Sequence, residues 1–327
     1  MSRTIVLGAS GFLGSHVVRA LVAAGREVRI LTRPDSDTSA TDDLDIERVH
    51  GDALDRASLA RAIGGCDGVF HCIVDTRAWL RDPQPLYRVN VDGLVNAMDA
   101  SLAAGVQRFV FTSTYATLGR NPSGASSEAD IFNWPDEAPH YVKCRVAAEQ
   151  RFFEYCRERG LPGIACCVAN TYGAGDIAPT PHGNVIRNVA LGRIPVYWDG
   201  GAPCLGIEDA ASGMIAAERL GRVGERYILS DRWFDYRELF AVAARAAGRA
   251  PPAVRVPMSL MYAATFACDV YCRFTRTDSF FSVASLQCAS LLPDADATRA
   301  RTELQWRPRA TALAIAEAVD FYLGRPS

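Results

Sequence analysis

Thr4-Ile5-Val6-Leu7-Gly8-Ala9-Ser10-Gly11-Phe12-Leu13-Gly14 stands at the start of the chain, and the order of its parts matters more than the glycine spacing. The run Thr4–Leu7 is β-branched and aliphatic and reads as a buried strand. The glycines then turn the backbone into a helix predicted over Ser15–Ala24, which Gly25 stops. Glycine permits a tight turn and a close approach of backbone to phosphate, and a helix N-terminus offers unpaired N–H donors with a favourable dipole. A Gly-rich turn alone is weak evidence. Here strand, turn, helix and the next strand (Glu27–Leu31) follow in the order a nucleotide site needs, so Gly8, Ser10, Gly11, Phe12, Leu13 and Gly14 are assigned to a dinucleotide.

The alternation continues. Ile46–His50, Gly68–Ile73, Phe109–Thr112 and Gly163–Val168 read as strands. Helices are predicted over Asp55–Ile63, from about Pro85 to Ala104, and over Tyr141–Arg159, the last two ended by Gly105 and Gly160. Such a pattern implies an α/β fold, a doubly wound parallel sheet of Rossmann type with right-handed crossovers. Ligands in these sheets bind beyond the carboxyl ends of the strands, so the loops after Leu7, Leu31, Ile73 and Thr112 are expected to form the site. Residues 1–170 read as a dinucleotide-binding domain, to which 205–230 returns. Beyond Val168 the alternation thins: 171–206 is rich in Gly and Pro, and 250–293 reads as irregular and apolar. Residues 171–327 are therefore expected to be mainly a smaller, discontinuous substrate lobe.

The 327 residues carry a net charge of −2 and no basic run, which argues against nucleic acid as a partner. Of the 35 basic residues only Lys143 is a lysine, a skew that fits codon bias better than a binding surface. The ten cysteines sit in apolar segments, where a thiol behaves as a small hydrophobe. A reducing cytoplasm is the expected compartment, with no leader read before the first strand. No CxxC pair or Cys/His cluster supports a metal, and His50 and His182 lack ligand spacing. The longest apolar stretch, Met258–Phe274, is interrupted by Asp269 and Arg273. It is too short and polar to span a membrane, and it reads as a helix covering a pocket rather than as a membrane contact.

Further motifs follow in order: Leu86-Tyr87-Arg88-Val89-Asn90-Val91-Asp92-Gly93, Phe111-Thr112-Ser113-Thr114, His140-Tyr141, Gly173, Asp176–Gly183 and Glu225-Arg226-Tyr227-Ile228-Leu229. With the opening glycines they make the chain resemble the extended short-chain dehydrogenase/reductases of the epimerase/dehydratase superfamily, in particular its dihydroflavonol-reductase-like and hopanoid-associated sugar epimerase groups. The likeness covers nearly the whole chain and is far less specific for substrate than for superfamily. It implies a tyrosine acting as general acid/base, here Tyr141, and a Ser or Thr holding the substrate oxygen, here Thr114 with Ser113 beside it. Asn90 matches an asparagine that holds a water in the proton relay. Asp52, followed by Ala53, matches the position that meets the adenine. The resemblance further places His71, Cys72, Ile73 and Asn170 against the cofactor; Tyr172 with Tyr141 and Thr114, and Trp79 from its place in the loop after the fourth strand, are expected against the substrate.

Two departures carry chemistry. A fold of this kind selecting NAD places an acid at the end of the second strand to bond the ribose hydroxyls. This chain has Thr32 followed by Arg33, which suits a 2′-phosphate, so NADP(H) is favoured over NAD(H). The family lysine, one helical turn beyond the tyrosine, is replaced by Arg145. It shares a helix face with Tyr141 and keeps the charge, but a planar guanidinium is not equivalent to an ammonium. Lys143 points elsewhere, and Glu208-Asp209 reads as structural.

The expectation is an NADP(H)-dependent oxidoreductase that interconverts a secondary alcohol and a ketone on a small hydrophobic substrate. Its pocket would be formed by 79–87, 172–206 and 257–282. The alternatives are an NAD-dependent nucleotide-sugar epimerase or dehydratase, and a non-catalytic nucleotide-binding protein with a degenerate YxxxR site. A homodimer through helices 86–104 and 141–159 is the expected assembly.

Overall fold

A computed structural model describes residues 3–325. Strand β1 (Arg3–Leu7) runs through the glycine turn into helix α1 (Phe12–Ala23), three residues earlier than predicted, and β2 (Glu27–Thr32) and β3 (Glu47–His50) follow. Next come α2 (Arg56–Ile63) and β4 (Gly68–His71), so Ile73 lies beyond the strand. The predicted helix 85–104 is three pieces: α3 (Gln84–Tyr87), a π turn at Arg88–Asp92 and α4 (Gly93–Ala103). Strand β5 (Arg108–Thr114) extends to include Ser113 and Thr114; α5 (His140–Arg159) and β6 (Gly163–Val168) match their predicted spans closely.

The region read as thin or irregular is ordered. It contains β7 (Asn170–Tyr172), α6 (Pro181–Ala190), β8 (Val196–Trp198), β9 (Gly201–Gly206), α7 (Ile207–Leu220), β10 (Arg226–Leu229), β11 (Arg232–Asp235) and α8 (Tyr236–Ala246). Strand β12 (Val254–Val256), α9 (Met258–Thr275), α10 (Val283–Ser290), α11 (Thr298–Glu303) and α12 (Thr311–Tyr322) complete it. Its strands are three or four residues long or carry Gly and Pro, as in Gly201-Ala202-Pro203, so period-2 alternation had no length in which to show.

The main sheet has seven parallel strands in the order β10-β6-β5-β4-β1-β2-β3. Both faces are covered, which explains the continuous apolar runs. Val17, Val18 and Leu21 of α1 pack with Ala210, Met214 and Ala217 of α7 on one face. Leu59 and Ile63 of α2, Leu94 and Met98 of α4, and Ala148 and Phe152 of α5 cover the other. Strand β10 brings the chain back to the sheet beside β6. A second sheet, β11-β9-β7, packs with α6, α8 and α12 around Phe234, Phe240 and Ile315. Strand direction of travel reverses between β1 and β4, the place where such sheets open a crevice at their carboxyl ends.

Candidate active site

That crevice holds a cavity of about 600 Å³ between the main sheet and the later elements. At one end the backbone of the opening motif forms its wall. Gly8 has φ +86°, and a Cβ there would stand 2.7 Å from the Cys72 carbonyl carbon. A Cβ on Gly14 would stand 2.1 Å from the Gly8 carbonyl oxygen, so the first turn of α1 sits directly on the strand's end. Gly11 caps α1 with no side-chain bond, and the first turn carries no acid. The N–H groups of that turn therefore face the cavity with the positive end of the helix dipole. Ser10, Gly11, Phe12, Leu13, Gly14 and Cys72 all line it. A cradle that a single Cβ would fill, with donors and no acid, fits a pyrophosphate.

The middle of the cavity brings Thr114, Tyr141, Arg145 and Asn170 together. Tyr141 is the second residue of α5 and Arg145 follows one turn later, so both reach the same wall. Burial pushes the Tyr141 phenol up to about 12 against a smaller downward pull from Arg145. Arg145 is 1% exposed. Its guanidinium donates to the Thr112 carbonyl and, at 3.5 Å, to Asn90 Oδ1, and lies 5.4 Å from the Phe111 ring. Among the described residues its Nε has no partner. It is a buried cation without a carboxylate, which leaves its charge available to the cavity. Thr114 Oγ1 accepts from Ala116 N at 3.3 Å, and Asn170 Oδ1 accepts from the Tyr115 hydroxyl at 3.3 Å.

Several predicted residues are placed or bonded elsewhere. Ser113 lines the cavity wall beside Thr114, but its hydroxyl donates to the buried Glu149. That carboxylate also accepts from Thr117 at 2.9 Å and pairs with Arg226 at 2.8 Å. Asn90, in the π turn, is wholly buried and does not line the cavity. Its Oδ1 accepts from Asp75 N at 2.9 Å and its Nδ2 donates to Asp75 O at 3.0 Å, so it clamps the loop after β4. The His71 side chain points into the core, 6.1 Å from Phe109 and 6.0 Å from Phe111 by ring centres. Burial, assisted by the Arg145 charge, depresses its imidazole to about 3. Ile73 packs against the α2/α4 core instead of the cavity. Arg33 is exposed beyond β2, 3.6 Å from Asp35. Asp52 accepts from Leu54 N at 2.8 Å beyond β3, with Ala53 beside it accepting from Asn96. These three lie beyond the carboxyl ends of β2 and β3 and outside the cavity wall.

The far end is apolar. Trp79 meets Phe280 edge-on at 5.2 Å, and Trp198, Leu239 and Leu292 close the cavity with Tyr172, which is 2% exposed. Trp198 and Phe280 fall in the expected segments 172–206 and 257–282 without having been singled out, and Cys288 lies outside all three expected segments. Sequence reasoning misplaced α9, which contributes no residue to the cavity wall. His182, which lacks metal-ligand spacing in the sequence, lies on the wall with Nε2 2.9 Å from the Thr171 carbonyl.

The NAD dependent epimerase/dehydratase family profile matches residues 4–229. The chain belongs to this family. The sterol demethylase protein B of Methylococcus capsulatus is 30% identical over 324 residues, covering 98% of each chain. A putative dihydroflavonol 4-reductase of Synechocystis is 30% identical over 78% of this chain and 75% of its own. A nucleoside-diphosphate-sugar epimerase structure from Pseudomonas aeruginosa superposes with a TM-score of 0.82 at 26% identity, covering 99% of this chain and 98% of that one. Membership of the epimerase/dehydratase family makes this chain an oxidoreductase-type enzyme that binds a nicotinamide dinucleotide. Within the described residues no helix is long and apolar enough to cross a membrane.

Proposed function

We propose that this family member is an NADP(H)-dependent reductase of a compact hydrophobic ketone, working reversibly on the matching secondary alcohol. The observation that carries the proposal is one cavity with three successive parts. It has a glycine cradle with a bare helix N-terminus, then Tyr141, Thr114 and Arg145, then an apolar end walled by Trp79, Phe280 and Trp198. When bound, the nicotinamide exchanges a hydride with the substrate carbon. Tyr141 gives its proton to the substrate oxygen as charge develops there, and Thr114 holds that oxygen. A phenol near 12 is protonated at neutral pH, the state that reduction requires. Arg145 stabilises negative charge on the phenol through its buried, carboxylate-free guanidinium. Asn90 acts through position, holding Arg145 and the Asp75 loop.

The apolar end favours a polycyclic substrate over a nucleotide sugar, in keeping with relatives named for a sterol and a dihydroflavonol. The C-terminal lobe, from residue 171 onward, is read as the part that shapes this end. Arg33, exposed and following Thr32 rather than an acid, supports NADP(H) through its 2′-phosphate. Half-buried Val95, Leu102 and Phe153 on α4 and α5 support a homodimer through those helices, and ten unpaired thiols support a cytoplasmic setting.

Thermal-shift titration tests the cofactor half. NADPH is expected to raise the melting temperature more than NADH at equal concentration, because stabilisation follows affinity, and Arg33→Ser is expected to remove the difference. Equal shifts in the unaltered protein would overturn the assignment of Arg33.

A further inference from the structure

Fourteen large hydrophobic side chains are exposed among the described residues, and seven of them fall between Val254 and Phe281. Most of these are on α9, whose amphipathic pattern is turned outward. Its buried residues are Thr265 and Cys272. Tyr262 bonds to Ser290 of α10 at 3.1 Å, and Asp269 accepts from Val283 N at 3.0 Å. The polar side therefore faces the protein. Outward stand Leu260 (59% exposed), Phe266 (63%), Val270 (40%), Tyr271 (66%) and Phe274 (83%). Leu260, Ala263, Ala267, Val270 and Phe274 recur at intervals of three and four, which makes one apolar stripe along the helix.

Two further observations say what covers it. Arg273 and Arg276 stand exposed at the end of the stripe, and neither has an ion-pair partner within 4.0 Å among the described residues. The nearby acids are engaged: Asp278 with Arg81 at 3.4 Å, and Asp269 with Val283. The stripe also ends beside the apolar wall of the cavity. Arg81 donates to the Cys272 carbonyl at 3.4 Å, and the loop after α9 carries Phe280, which meets Trp79 on the cavity wall. A second copy of the chain is a poorer cover. A helix of 18 residues presents a face of about 27 Å by about 10 Å, roughly a third of the ~800 Å² per partner that a standard interface buries.

We propose that α9 docks flat on an anionic bilayer surface, with its aromatic face at the headgroup–acyl boundary and Arg273 and Arg276 on lipid phosphates. A ketone dissolved in the bilayer then enters between Trp79 and Phe280. The entry route rests on the hydrophobic-substrate reading above; the docking does not. This reverses the reading of Met258–Phe274 as a pocket cover.

Flotation of the full chain with vesicles tests it, using phosphatidylcholine alone and phosphatidylcholine mixed with phosphatidylglycerol. The protein is expected to float with the mixed vesicles and to be released by salt. Replacing Phe266 and Phe274 together (Phe266→Ser, Phe274→Ser) is expected to weaken binding by about tenfold or more, since partition follows buried apolar area. Arg273→Gln with Arg276→Gln is expected to abolish the preference for anionic vesicles. Both variants are expected to keep turnover of a short water-soluble ketone and to lose turnover of a vesicle-held one. No flotation of the unaltered protein, or equal flotation of the serine variant, overturns the docking. So does a dimer, seen by light scattering, that Phe274→Ser dissociates in a protein that never floats. Flotation with no turnover of any hydrophobic ketone upholds the docking and overturns the substrate reading instead.

Discussion

Arg145 and His71 show what a buried cation demands of its surroundings. The guanidinium has a backbone carbonyl, an amide oxygen and an aromatic face, and no carboxylate. Its charge is thus directed at Tyr141 and the cavity. Replacing it with Lys keeps the charge but loses the planar fork that reaches both Thr112 and Asn90. Arg145→Lys is expected to hold turnover within about tenfold, whereas Arg145→Met is expected to lower it by about 100-fold or more. Equal turnover of the Met variant would remove Arg145 from the chemistry. His71, nearby and fully buried, is neutral in the folded protein with its pKa lowered to about 3 from 6.5. The unfolded chain binds that proton first, so stability is full above the unfolded pKa and falls as pH drops below it. Going from about pH 6.5 to about pH 5 is expected to cost roughly 2 kcal/mol through His71. His16 and His182, also depressed by burial, act in the same direction. Urea unfolding of the unaltered protein and His71→Leu at both pH values isolates the share of His71. Parallel losses in the two proteins would contradict it.

At the scale of elements, the opening motif was the most legible part of the chain. Its function is a backbone shape, and only glycine permits that shape. With a Cβ on Gly14 placed 2.1 Å from the Gly8 carbonyl, Gly14→Ala is expected to push α1 off the strand. The expected result is a loss of about 2–3 kcal/mol of stability and of measurable NADPH binding by calorimetry. Unchanged binding would show that the helix terminus does not hold the pyrophosphate. The parallel strands were legible as well, because burial on both faces leaves long apolar runs. The π turn at Arg88–Asp92 was not, since nothing in the local pattern distinguishes an extra residue per turn from regular helix. It is set by Asn90 bonding a loop fifteen residues away in sequence. Ser113 shows a related limit: it lies on the cavity wall beside Thr114, yet its hydroxyl bonds Glu149, a side-chain partner that only tertiary packing supplies. Helix α9 failed most instructively. Composition showed an apolar helix, but the side it turns to the protein depends on partners in α10.

For the molecule as a whole, the seven-stranded sheet, the β11-β9-β7 sheet and their helices meet at a crevice, and the order of parts along it carries the functional account. That the glycine turn, Tyr141 with Arg145, and apolar segments share one crevice was readable in outline from motifs separated by more than a hundred residues. Trp79 was singled out and the segments holding Trp198 and Phe280 were expected, but which side chains of those segments meet was not legible, because only tertiary packing brings three distant stretches together. The account stands most directly on NADPH consumption with a panel of polycyclic ketones, measured for the unaltered protein beside Tyr141→Phe. The unaltered protein is expected to consume NADPH with at least one such ketone. Tyr141→Phe is expected to lose about 100-fold or more in kcat while still binding NADPH. No consumption with any ketone, or equal rates for the two proteins, would contradict the account.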